Sequence, residues 1–234
     1  MPVTLVQSKT AYPGGTSTPA VATFDGATTT GNLIEVTVEL RQDAAGGVTV
    51  AVTDNKGNTY SPAVTSGGAG AFSRQCVKFY CANTAGGGSH QITVTPSGSL
   101  ANGSLGFVAD EWSGLAPSGP LDKTATGTNT STAVSTGSTG TLSQADELVT
   151  CGVGTAGTSV TYTPGVGWTQ TAATTGLFNQ YKVVAGTAAV SGDATASPSI
   201  TWNAALATYK IAAGGGGPAV APIVAHLNRL RRAG

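Results

Sequence analysis

The segment "NLIEVTVEL" (32–40) alternates with a period of two. Ile34, Val36 and Val38 fall on one face, and Glu35, Thr37 and Glu39 on the other. Only a β-strand places successive side chains on opposite faces, so this pattern specifies a strand with one buried face. "VTVAVTDNKGNTYSPAVT", "CVKFYCA", "HQITVTP" and "SLGFVADEW" follow in the same style, separated by Gly, Asn, Pro and Ser. Many short strands with turn residues between them predict an all-β sandwich or barrel. Composition agrees. Charged residues are 9% of the 234, against roughly 25% in ordinary soluble proteins. Thr suits the pleated surface that such a chain exposes, and Gly supplies the turns.

A weak internal repeat divides the chain. "SKTA" (8–11) matches "DKTA" (122–125), and "NLIEVTV" (32–38) matches "DELVTCGV" (146–153). A hairpin ending at Tyr60, with Asp54 to Asn58 as its turn, matches one ending near Trp168. "KFYCANTAGG" matches "NQYKVVAGTA", "TVTPSGS" matches "TASPSIT", and "FVADEWSG" matches "ALATYKIA". Seven or eight strands per copy is what a jelly roll needs. The expected layout is two tandem jelly-roll-like sandwiches, residues 1–116 and 117–213, with "LAPSGPLD" (115–122) as the link. The rival is one larger sandwich whose halves interleave. A Gly linker (214–217) and a C-terminal tail (218–234) complete the chain.

The search for chemistry returns little. His90 and His226 are the two histidines, so no Cys/His/acid spacing for a metal is present. A Ser–His–acid triad on His90 lacks the G-x-S-x-G elbow and is not expected. "GVGTAG" (152–157) matches G-x-G-x-x-G but precedes a strand-like segment rather than a helix, so it reads as a Gly-rich turn. In "DNKGN" the Gly is fourth and no Glu follows, which is not an EF-hand loop. Asp110 and Glu111 are adjacent and point to opposite faces of a strand. Cys76 and Cys81 do likewise and cannot bridge one another, so buried free thiols and a reducing compartment are expected. Trp202 belongs to the core. Trp168 and Trp112 are the candidates for a glycan or subunit contact, Trp112 because it lies opposite Leu105, Phe107 and Ala109. No enzyme activity, cofactor, metal or nucleic-acid partner is expected.

The tail differs from the body. Residues 1–217 hold eight Lys/Arg against eleven Asp/Glu, a net −3; the tail adds Arg229, Arg231 and Arg232 and no acid, +3. Pro222 suits the first turn of a helix. Ile223, Val224, Leu227 and Leu230 share one helical face, with Asn228, Arg229 and Arg232 opposite. A helix this short is marginal alone, so the tail is expected to dock on its own body or on a neighbouring copy. "MPVTLVQSKT" is not a secretory leader, and no apolar run nears the ~20 residues of a membrane span.

The pattern "VTDNKGNTY … KFYCANTAGGG…HQITVT … EWSGL … PLDKTATGT … WNAALATYK" resembles the Gly/Thr-rich β-sandwich domains of tailed-phage virion proteins and of some bacterial surface proteins, over residues 30–212. The resemblance implies a structural or adhesive module without catalytic residues, made in the host cytoplasm and located in the virion. The expected partners are a major capsid protein or neighbouring copies, with homo-oligomerisation, and, through Trp112 or Trp168, host polysaccharide as a further candidate ligand. Capsid decoration is the leading expectation, and a tail, baseplate or fibre role or a carbohydrate-binding adhesin the alternatives.

Overall fold

A computed structural model describes residues 2–13, 19–42, 46–68, 70, 73–100, 104–155 and 160–212. Every regular element among them is a β-strand, and every ladder is antiparallel. The predicted tail helix lies outside the described residues.

The first eight strands are β1 (Thr4–Ala11), β2 (Ala20–Thr23), β3 (Leu33–Arg41), β4 (Val50–Asp54), β5 (Ser61–Gly67), β6 (Arg74–Cys81), β7 (Gln91–Pro96) and β8 (Ser104–Ser113). They form a five-stranded sheet, β1-β8-β3-β6-β5, covered by a three-stranded sheet, β2-β7-β4. Ile34, Val36, Val38, Phe107 and Ala109 from the larger sheet meet Ala20, Val52, Ile92 and Val94 from the smaller. Each fully buried Val, Ile or Phe among them contributes ~1.5–3 kcal/mol.

Six strands follow: β9 (Leu121–Ser138), β10 (Glu147–Thr155), β11 (Thr161–Pro164), β12 (Thr169–Ala173), β13 (Leu177–Val184) and β14 (Ser191–Lys210). The path is β11-β14-β10-β13-β12, with β9 along β14. β9 and β14 are long because each runs through two layers. A Cβ on Gly127 would lie 2.0 Å from Ser135 O, and one on Gly192 would lie 2.6 Å from Cys151 Sγ. So the second part of β9 folds back near its first part, and the start of β14 crosses the face of β10. The β9–β14 register breaks between Thr195 and Ile200, and Pro198 sits in that break, where its missing N–H costs no ladder bond.

Split at these bends, the second set repeats the pairing order of the first. The two parts of β9 correspond to β1 and β2, β10 to β3, β11 to β4, β12 to β5, β13 to β6, and the two parts of β14 to β7 and β8. The six sequence matches fall on these equivalent strands. Among the described residues no ladder joins a strand of one set to a strand of the other.

Two expectations are corrected. The segments on either side of Asp54–Asn58 do not pair as a hairpin: β4 pairs with β7 and β5 with β6. The turn carries the chain from one sheet to the other, and the β11-to-β12 turn does the same. Alternation reports which side chains are buried and is silent about the neighbour. In "GVGTAG", Gly152 and Gly154 are not turn residues but lie inside β10.

The two sets meet through their larger sheets. The larger sheets pack face to face, through Leu33, Trp112, Leu115, Leu148, Ala207 and Tyr209 and through Cys76, Val108, Leu177 and Ala205. The approach is close because the second set presents small residues. A Cβ on Gly152 would lie 2.3 Å from Thr37 Cγ2 and 3.2 Å from Cys76 Sγ. Substituting Gly152→Val is therefore expected to cost about 1–3 kcal/mol by overpacking, read as a lower urea midpoint with the strand content of the circular dichroism spectrum retained.

Candidate functional site

The polar face of β3 points into this seam and not to solvent. Glu35, Thr37 and Glu39 are buried, as are Lys78 on β6 and Asp110 on β8. A charge taken from water must be paired and hydrogen-bonded, and the two sets supply partners jointly. Lys78 Nζ lies 3.1 Å from Glu35 Oε1, with both side chains fully buried, and donates to Thr37 Oγ1 at 2.8 Å. From the second set, Thr150 Oγ1 donates to the same Glu35 oxygen at 2.6 Å and Tyr209 OH at 2.9 Å. Glu35 Oε2 has no partner. Asn179 on β13 donates through Nδ2 to Asp110 Oδ2 at 2.8 Å, and its Oδ1 lies 3.5 Å from Lys78 Nζ and 3.4 Å from Thr37 Oγ1. Ser8 Oγ donates to Asp110 Oδ1 at 2.5 Å.

Burial raises the carboxyl groups of this seam. Asp110 is pushed up to about 6 by desolvation, against the Ser8 hydrogen bond and with the Glu35 charge adding to the rise. Glu39 rises to about 8, again by desolvation, although Ser104 donates to it and Arg74 and Arg41 stand near. Cys76 and Cys151 are pushed up to about 12 by burial, which makes them inert thiols.

A second constellation closes one end of the first sandwich. His90 Nε2 lies 2.8 Å from Asp54 Oδ2, and His90 Nδ1 lies 2.7 Å from Thr28 Oγ1. Asp54 also accepts from Asn58 Nδ2 at 2.7 Å, Tyr60 OH at 3.0 Å and the backbone N–H groups of Lys56 and Asn58. Burial alone would raise Asp54, but the hydrogen bonds from Asn58, His90 and Lys56 outweigh it and lower it to about 2. The hydroxyl–imidazole–carboxylate order resembles a catalytic triad. Its hydroxyl is buried, however, and Thr28 Oγ1 is also held at 3.2 Å by the Gly87 N–H. The arrangement clamps three loops together. Sequence reasoning had no signal for Thr28, which is 62 residues from His90.

An open cleft of about 530 Å³ lies at one edge of the seam, lined by Gly67, Ser73, Arg74, Thr128, Thr201 and Asn203. Arg74 Nη1 donates to Thr155 O at 3.1 Å. Hydroxyls, a side-chain amide and a guanidinium are hydrogen-bonding groups suited to a polar, saccharide-like ligand.

The aromatic candidates are placed differently from expectation. Trp112 has no exposed surface; it packs edge-on against Tyr181, ring centroids 4.8 Å apart, inside the seam. It contacts the other half of its own chain, so it offers no stacking platform. Trp168 is 8% exposed, joins the second core, and has Lys182 Nζ 4.5 Å from its ring centroid. Trp202 is a core residue. Cys76, Cys81 and Cys151 are free and buried, and Asp110 and Glu111 do point apart, Glu111 accepting from Asn32 Nδ2 and the Thr29 N–H. The proposed tail contacts, Ile223, Val224, Leu227, Arg229, Leu230 and Arg232, lie outside the described residues. Among the described residues, no three His, Cys, Asp or Glu side chains converge as a metal site. Compared with known protein families, characterised proteins and solved structures, the chain matches none.

The raised Glu39 carboxyl sets a pH dependence. Its folded value lies above its ordinary 4.5, so the folded state holds the proton more tightly. Its contribution is fully present below 4.5 and is lost as pH rises toward about 8. Glu39→Gln should flatten this decline in urea unfolding across that range. Asp54 has the opposite sign: its contribution is lost as pH falls from 3.8 to about 2, and Asp54→Asn should remove that part of the acid transition.

Proposed function

We propose that this chain is a non-enzymatic structural protein of a phage particle, a capsid decoration or cement protein built from two tandem jelly-roll-like sandwiches. The observation that carries this reading is the seam. Two sheets with the same pairing order are locked face to face, with Glu35, Glu39, Lys78 and Asp110 buried between them. What remains outside is a rigid block with a Thr/Ser/Gly surface. The order β1-β8-β3-β6 facing β2-β7-β4 supports the jelly-roll assignment. A block of this kind suits repeated docking on a shell, through its faces and through the basic tail at 218–234.

Mass spectrometry of purified virions with copy number is the direct test. Hundreds of copies are expected for a shell protein; three to twelve would indicate a tail, baseplate or fibre component, and none would reject a virion role. Deleting residues 218–234 should leave the body folded and weaken co-sedimentation with shells; undiminished binding would remove the tail from the reading.

A second reading, a saccharide-binding adhesin, is favoured by the Arg74 cleft and not by Trp112 or Trp168. It expects Thr201→Val together with Asn203→Ala to abolish binding to host polysaccharide, with Trp168→Ala retaining it, on a glycan panel.

A further inference from the structure

The seam brings an amine, a carboxamide and two carboxyl groups together, all buried from solvent. Lys78 belongs to the first set of strands and Asn179 to the second, and both are fully buried. Lys78 Nζ lies 3.5 Å from Asn179 Oδ1, which places the amine beside the side-chain amide. The two faces of the amide are sorted by their partners. Its nitrogen faces Asp110 Oδ2 at 2.8 Å, and its oxygen faces the Thr37 hydroxyl at 3.4 Å. On the amine side, Glu35 Oε1 is 3.1 Å from Nζ, and Glu35 Oε2 is buried without a partner.

We propose that Lys78 and Asn179 form an intramolecular amide bond that covalently joins the two halves, with Glu35 and Asp110 moving the protons. The Lys78 ammonium passes one proton to the Glu35 carboxylate and becomes a neutral amine. The Nζ lone pair then attacks Asn179 Cγ, and the oxygen that gains charge is stabilised by the Thr37 hydroxyl. The Cγ–Nδ2 bond breaks as Asp110 gives its proton to the leaving nitrogen, and Asp110 recovers a proton from Nζ. The products are an Nζ–Cγ amide carrying one hydrogen, one molecule of ammonia and a protonated Glu35. Charge and atoms balance without an oxidant, a metal or a co-reactant. Burial pushes Asp110 up to about 6, which makes it a better proton holder than an ordinary carboxyl and suits it to the leaving-group role. Holding the reactants side by side in a packed core supplies the orientation that the step requires.

The bond would cross-link strands β6 and β13 and so resist separation of the two halves. It does not depend on where the protein acts, so its test and the virion test fail independently. Intact mass spectrometry of the full-length folded protein should give a mass below that of the sequence by one ammonia. Digestion and tandem sequencing should give a branched peptide joining Lys78 to Asn179. Lys78→Met and Asn179→Ser should each restore the full mass, and Asp110→Asn should lower the cross-linked fraction formed in a given time after refolding. A native protein that keeps its full sequence mass after prolonged incubation at neutral pH would overturn the proposal. So would ammonia loss without a branched peptide, the product of asparagine cyclisation. Should the variants fail to fold, the native protein's mass and peptide map still decide.

Discussion

The Lys78–Glu35 pair, buried between two sheets, is the interaction on which the arrangement of the molecule depends. Neither charge would be tolerated there alone, since removing one partner of a buried pair leaves an uncompensated ion at a cost of roughly 3–5 kcal/mol. The pair is completed by residues of both halves: Thr37 from β3 and Thr150 and Tyr209 from β10 and β14. Each half alone would expose a sheet face carrying Glu35, Glu39, Lys78 and Asp110 on one side or Thr150, Asn179 and Tyr209 on the other. Docking converts those faces into an interior. The hydrogen bonds also fix the register of one sheet on the other, which apolar contacts in the seam, such as Trp112 against Tyr181, would not do alone.

Glycine and alanine decide how near the sheets come. Gly152, Gly154, Ala205 and Ala207 face the longer side chains of the first half. The first half therefore contributes the charged groups, and the second contributes hydrogen-bonding partners and the room for them. The two copies share a pairing order but have diverged on this face. In the second copy, β9 and β14 each span two strands' worth of sheet, where the first copy has the separate strands β1 and β2 and the separate strands β7 and β8.

Much of the fold was legible because it rests on local rules. Ile34, Val36 and Val38 marked a buried face by alternation, and all three lie in the first core. The six repeat matches marked equivalent strands. Partner choice was not legible: the Asp54–Asn58 turn looked like a hairpin and is a crossover between sheets. The candidate sites were less legible still. Thr28, Asp54 and His90 come from three separate segments, and Lys78 and Asn179 are 101 residues apart. Trp112 was correctly placed on the face away from the first core, yet that face is itself buried.

The sequence by itself determined that the body of this chain is all-β, that its strands come in two similar series, and which side of β3 faces the first core, because these follow from a period of two and from turn residues acting over a few positions. Only the tertiary structure decided that the polar side of β3 is also interior. That outcome depends on a second sheet, distant in sequence, that offers complementary hydrogen-bonding groups and enough small residues to let the charged face approach.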